Sequence, residues 1–136
     1  MADSIKLEIV TPEALTFSEE VDMVTLPGVE GEMGIYPNHV PLLTQIVAGE
    51  ILVLAGGKVR FLAVGGGFVE VTADKVAVMT DMAIEADDID EAKAEEARRR
   101  AEARLDEKLT EEETASVQAA LAHSLAQLKV KRRRHS

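Results

Sequence analysis

The chain contains no cysteine. That removes disulfide frameworks and thiolate metal sites from consideration and suits a reducing compartment. It has no run of about 18 apolar residues, so no spanning helix is expected. The N-terminal Met-Ala-Asp-Ser is not a positive region followed by an apolar stretch, and it is neither Arg-rich nor Ser-rich. No signal or transit peptide is therefore expected, and the protein should act where it is made, meeting a membrane only through partners. Serines are few and none sits in a Gly-x-Ser-x-Gly setting. The three histidines, His39, His123 and His135, share no metal-ligand spacing, and His-Glu-x-x-His is missing. His39 reads as a hydrogen-bonded structural residue in a loop and His123 as a surface or seam residue of a helix. Gly65-Gly66-Gly67 is not followed by Gly-Lys-Ser/Thr, which excludes a phosphate-binding loop of that type. Carboxylates are plentiful, but an acid–base pair needs environments that separate the two pKa values. These absences point to a protein without catalytic residues and without a metal.

What is present is unevenly distributed. Within 136 residues of net charge −10, residues 1–88 carry 4 Lys/Arg against 15 Asp/Glu, and residues 89–136 carry 11 against 10. The acidic part should repel nucleic acid and anionic lipid. The other part ends in Lys129, Lys131, Arg132, Arg133 and Arg134, a short basic tail able to seek an acidic partner.

From Ile5 to Asp81 the pattern alternates. Ile5, Leu7 and Ile9 share one face, with Lys6 and Glu8 on the other. Further strands are expected at 14–17, 21–26, 42–47, 51–54, 58–64, 68–72 and 76–80, with a tight hairpin at Gly56-Gly57 and a turn at Ala73-Asp74. The glycine triplet at 65–67 should mark a bulge or a close backbone approach. Many short strands with turn signals indicate a sandwich or barrel.

Composition changes after Ala83. Glu85-Ala-Asp-Asp88 is a helix start signal. Ala94, Ala97, Ala101, Leu105 and Leu109 form a thin, mostly alanine stripe over 89–109. Thr110-Glu-Glu-Glu113 is a capping box that opens a second helix with Val117, Leu121, Ser124, Leu125 and Leu128 on one side. The organisation expected is a β domain over 1–84 and an antiparallel helical hairpin over 85–136. Alanine faces bury little area, so the hairpin's docked and detached states should differ by only a few kcal/mol.

The densest punctuation lies at Gly28–Leu43, which holds Gly28, Gly31, Gly34, Pro37, Pro41 and Tyr36. It reads as an ordered loop or a set of tight corners anchored by Met33, Ile35, Val40, Leu42 and Leu43. The string Glu30-Gly-Glu-Met-Gly-Ile-Tyr-Pro-Asn-His-Val-Pro-Leu-Leu43 resembles the corresponding loop of the epsilon subunit of F-type ATP synthase. Leu62-Ala-Val-Gly-Gly-Gly-Phe-Val-Glu-Val71 resembles that family's glycine-rich strand, and Ala83–Ala94 its junction between sheet and helices. The three lie in the family's order and spacing.

That resemblance implies a sandwich of two antiparallel sheets plus a helical hairpin, in a rotor subunit with no bond chemistry of its own. It implies partners in the gamma subunit, the c ring and the beta and alpha subunits, no nucleic acid, no membrane insertion, and a peripheral place at the cytoplasmic face of a bacterial plasma membrane. Glu30, Gly31, Glu32 and His39 would face the rotor. Arg98, Arg99, Arg100 and Arg104 would meet the beta subunit when the hairpin extends as a brake on hydrolysis. Some members bind regulatory ATP at Ile/Leu-Asp-x-x-Arg-Ala. Here Ile89, Asp90 and Ala94 match and Lys93 replaces the arginine, losing its bidentate fork. The expectation is no tightly held cofactor and at most weak ATP. A free-standing sandwich that binds a small ligand and a small carboxylate hydrolase are the rival readings. The first leaves the alanine hairpin unexplained, and the second lacks a nucleophile or metal constellation.

Overall fold

The computed structural model describes residues 4–133; Met1 to Asp3, Arg134 of the basic tail and His135 lie outside them. Ten strands follow in order: β1 Ile5–Val10, β2 Leu15–Val21, β3 Met23–Gly28, β4 Gly31–Ile35, β5 Leu42–Ile46, β6 Gly49–Ala55, β7 Lys58–Val64, β8 Gly67–Val71, β9 Lys75–Thr80 and β10 Ala83–Glu85. A single 3-10 turn, Ala86–Asp88, leads to α1, Glu91–Leu105, and α2, Glu111–Arg133.

The two layers of the sandwich are joined into one ladder, ordered β10-β7-β6-β3-β5-β8-β9-β1-β2, with β4 paired to β3. Adjacent strands are antiparallel except β1 and β9, which run parallel from Lys6↔Lys75 to Val10↔Met79. The first strand thus enters the sheet beside the last long one, and no hairpin turn dictates their direction. The inward residues follow the alternation read from the sequence: Ile5, Leu7 and Ile9 are fully buried and pack with Val24, Leu62 and Val78 in a single core. Arg60 on β7 spans the two ends of the ladder. Its guanidinium meets Glu19 on β2 at 2.8 Å and Glu85 on β10 at 2.6 Å, and lies 5.1 Å from the ring centre of Phe17. Nearly closing the sheet in this way leaves little open edge to pair with other chains.

β10 is not among the strands expected from the sequence, and two other strands depart from that reading in physically informative ways. β2 continues through Ser18-Glu19-Glu20, a polar stretch that an edge strand tolerates because one of its faces stays wet. β4 runs through the glycine-rich segment, Leu26↔Met33 and Val24↔Ile35 being its cross-strand pairs with β3. The segment is therefore a hairpin followed by a loop at 36–41. Of its expected anchors, Ile35 is buried and Met33 and Leu42 pack on the core, whereas Val40 and Leu43 are exposed. Gly56 and Gly57 turn at φ 58° and 77°, the left-handed geometry a two-residue hairpin demands. In the triplet, a Cβ on Gly67 would lie 2.9 Å from the Met79 carbonyl carbon, so the expected close backbone approach is found there.

Both helices begin on capping groups. Asp90 caps α1 by accepting the Lys93 amide at 3.1 Å, and Thr110 and Glu113 exchange side-chain-to-amide bonds of 3.0 and 3.1 Å ahead of α2. That exchange holds the Glu113 carboxyl below its ordinary range, chiefly through the Thr110 amide. α1 stops at Leu105, leaving Leu109 in the link. α2 is buried on two sides. Val117 faces Ala97 and Ala101 across a groove of about 210 Å³ between the helices, while Ala126 and Val130 pack on Ala63, Ala86 and Ile89. Leu125, expected in the seam, belongs to neither side and is exposed.

Candidate functional site

Three surfaces carry the side chains singled out above. The first is the tip between β3 and β4. Gly31 holds φ 132°, a conformation that favours glycine, and so turns Glu30 and Glu32 outward, both exposed. Glu30, Gly31 and Glu32 border an open depression of about 500 Å³ with Val29, Thr44 and Gln45. His39 is not part of it. β4 carries the chain about 16 Å away at roughly 3.3 Å per residue, and Asn38 then donates its amide to the Ala73 carbonyl at 2.8 Å, in the β8–β9 turn at the opposite end of the strands. His39 Nδ1 lies 2.6 Å from the Val40 carbonyl oxygen. Tyr36, Val40 and Leu43 stand exposed in its neighbourhood.

The second surface escaped the sequence reading. On the outer face of the sheet Phe68 pairs across the ladder with Met79, Met79 with Val10, and Val10 with Leu15. All four are between 40% and 56% exposed. A contiguous apolar row of this kind is a signature of a contact surface. Gln45 pairs with Phe68, so the acidic depression runs directly into the row. The signal was legible. Val10 follows Lys6 and Glu8 on the polar phase of β1, and Met79 follows Lys75 on that of β9, each an apolar residue on the wet side of its strand.

The third surface is the docked hairpin. α2 rests on β6 and β7, and its seam is flanked by polar contacts at both ends. His123 Nε2 lies 3.1 Å from Asp81 Oδ1, above Gly65, where a Cβ would come within 2.7 Å of that nitrogen. Lys131 Nζ donates to the Ala86 carbonyl at 3.1 Å. Arg133 Nε lies 3.1 Å from Glu50 Oε2, with its guanidinium 5.5 Å from the centre of the Phe61 ring. Between the helices Arg132 reaches Glu91 and Glu95, each at 3.0 Å. The bond from Arg98, joined by that from Arg132, holds the Glu95 carboxyl down at about 2.

The arginines expected to meet a partner are occupied within the hairpin, three of them along their own helix. Arg98 pairs with Glu95 and Glu102, Arg99 with Glu95, Arg100 with Glu96, and Arg104 with Glu107 and Glu113. Exposed pairs of this spacing are weak and exchangeable. At the start of α1, Ile89 and Ala94 are buried, the Asp90 carboxylate serves as the cap, and Lys93 is exposed. The four residues of the nucleotide-binding pattern thus supply one outward cation. Among the described residues, no three His, Asp or Glu side chains converge as metal ligands, and no helix is long and apolar enough to cross a membrane.

Comparison with known proteins gives a consistent pattern. Residues 4–86 match the family model described as ATP synthase, Delta/Epsilon chain, beta-sandwich domain. Residues 87–132 match ATP synthase, Delta/Epsilon chain, long alpha-helix domain. The ATP synthase epsilon chain of Syntrophobacter fumaroxidans is 46% identical over 130 residues, covering 96% of this chain and 97% of that one. That of Dehalococcoides mccartyi is 47% identical over 134 residues, covering 96% of each. Among solved structures, a chain of the Euglena gracilis mitochondrial ATP synthase OSCP/F1/c-ring assembly superposes with a TM-score of 0.76 at 26% identity, over 95% of this chain and 81% of that one.

Proposed function

This chain belongs to the ATP synthase delta/epsilon family, and from that premise we propose that it joins the rotor's gamma subunit to the c ring and brakes ATP hydrolysis with its hairpin. As an epsilon subunit of F-type ATP synthase it is a non-catalytic part of a membrane-associated complex. The observation that carries the finer reading is the apolar row Phe68–Met79–Val10–Leu15 running into the acidic depression at Glu30–Glu32. A rotating shaft needs a partner that does not dissociate, and desolvating a row of large apolar side chains provides that hold. The row is the gamma-facing surface. The Glu30–Glu32 tip, outward and acidic, suits polar and basic loops of a c ring. His39, at the other end of the strands, is a separate contact.

The hairpin is the regulatory element. Docked, its arginines are satisfied by carboxylates within the hairpin; extended, they can exchange those weak pairs for acidic groups on the beta subunit. The start of α1 is a structural cap, and Lys93 gives ATP only a point charge to meet. The complex faces the cytoplasm of its cell. Replacing Phe68 and Met79 by Asp tests the row. Both positions are exposed, so the chain should fold and melt normally yet fail to co-purify with gamma; retention of gamma by the double variant would refute the assignment.

A further inference from the structure

Glu50 is the second residue of β6, on the outer face of the sheet beneath the last turn of α2. Its side chain is 10% exposed, and Oε2 is a buried side-chain atom that accepts no hydrogen bond from the described residues. Arg133 stands 3.1 Å away, but half of that side chain is in water and its geometry makes an ion pair without a hydrogen bond to Oε2. The groups that face Glu50 are Arg133 and Lys129 from α2 and Glu32 from β4, with Phe61 of β7 under the Arg133 guanidinium. Glu50, Arg133, Lys129 and Glu32 line a small space of about 260 Å³ between the end of α2 and the β3–β4 hairpin. A carboxylate held there gives up its hydration, gains the partly solvated cations Arg133 and Lys129, and sits opposite another carboxylate. Desolvation of this kind commonly exceeds the attraction of the pair.

We propose that Glu50 is a proton-operated latch for the hairpin: uncharged, it lets α2 lie against the sheet, and as a carboxylate it weakens that docking. The Arg133 pair offsets part of the cost without reversing it. Burial raises the Glu50 carboxyl above its ordinary value near 4.5, against the lowering by Arg133 and Lys129 and with a further rise from Glu32. Detachment of α2 returns the group to water and to its ordinary value. The docked state therefore binds the proton more tightly. Its contribution to docking is complete below about 4.5 and fades as pH rises through the raised value, so acidification favours docking and alkalinisation favours release. One proton limits the effect to at most about tenfold per pH unit in the docked-to-detached ratio. The consequence for the brake rests on the function proposed above. The latch itself rests on the docked geometry of the single chain and is measured there, so the two can fail separately.

The chain has no cysteine to interfere with labelling. Dyes at Lys58→Cys, at the start of β7, and Gln118→Cys, on α2, are both at exposed positions and report docking by energy transfer between about pH 5.5 and 8, above the isoelectric point near 4.7. The wild-type docked fraction should rise as pH falls. Glu50→Gln, which cannot ionise, should dock at pH 8 at least as fully as the wild type does at pH 6, with no pH dependence of its own. His123→Gln, at the other end of the seam, should retain the wild-type slope. A Glu50→Gln chain that is detached at every pH would overturn the proposal, because it would mean that the Arg133 pair holds the hairpin. A flat wild-type profile would overturn it as well, and so would a slope that survives in Glu50→Gln and vanishes in His123→Gln.

Discussion

The substitution Val130→Ala isolates what holds the hairpin to the sheet. α2 contributes Ala126 and Val130 to the cluster with Ala63, Ala86 and Ile89, and Val130 is fully buried. Ala126 offers a single methyl group, so most of the apolar area α2 gives this cluster belongs to Val130. Removing two methyl groups costs about 1.6 kcal/mol at ~0.8 kcal/mol each. Incomplete collapse of the space left behind brings the total to about 2 kcal/mol. On a docking equilibrium with a margin of a few kcal/mol, that is roughly a 30-fold shift toward the detached form. The sheet core is a separate cluster, so its melting temperature should hold within a few degrees while energy transfer between sheet and α2 falls. Val130→Asp should detach the hairpin outright, since an ionised group would be stranded among apolar side chains. In the assembled complex both variants should lower ATP hydrolysis in proportion to the detached fraction. If neither substitution changes the docked fraction, the seam is not the holding contact and the physical account of the switch is wrong.

Gly65→Ala brings a methyl group against the Asp81 and His123 side chains, whose flexible ends can move aside at the expense of their bond. Energy transfer should show docking weakened about three- to tenfold, the worth of one partly exposed hydrogen bond, with sheet stability unchanged. Gly67→Ala meets the Met79 backbone, which cannot yield. Chemical denaturation should report a loss of about 3 kcal/mol from the sheet itself, and wild-type stability would refute the reading of a forced close approach. Calorimetric titration of the wild-type chain with ATP should give no micromolar binding, and Lys93→Arg should strengthen whatever is measured by restoring the bidentate fork; micromolar affinity in the wild type would overturn the structural reading of the α1 start.

The sequence by itself determined the inward face of β1 and the place of most other strands, because burial on one side of a pleated ribbon imposes a period of two on the residues, whatever their partners. It also determined the Gly56-Gly57 turn and the Thr110–Glu113 cap, whose conformations are settled by residues a few positions apart. Its motifs were sufficient to indicate the family. Tertiary structure alone decided which strands lie side by side. β4 exists because Leu26 and Val24 stand opposite Met33 and Ile35, and β10 because Ile84 meets Ala63; neither segment is long or apolar enough to declare itself. The same holds for the surfaces. Phe68, Met79, Val10 and Leu15 become one row only when four strands are aligned in register, and His39 parts from Glu30 only when β4 is drawn out straight. Glu50 and Arg133 are 83 positions apart in the chain, and no local pattern records their meeting. Local rules fix what depends on neighbours in sequence, and the pairing of distant segments depends on a collective minimum that no single stretch encodes.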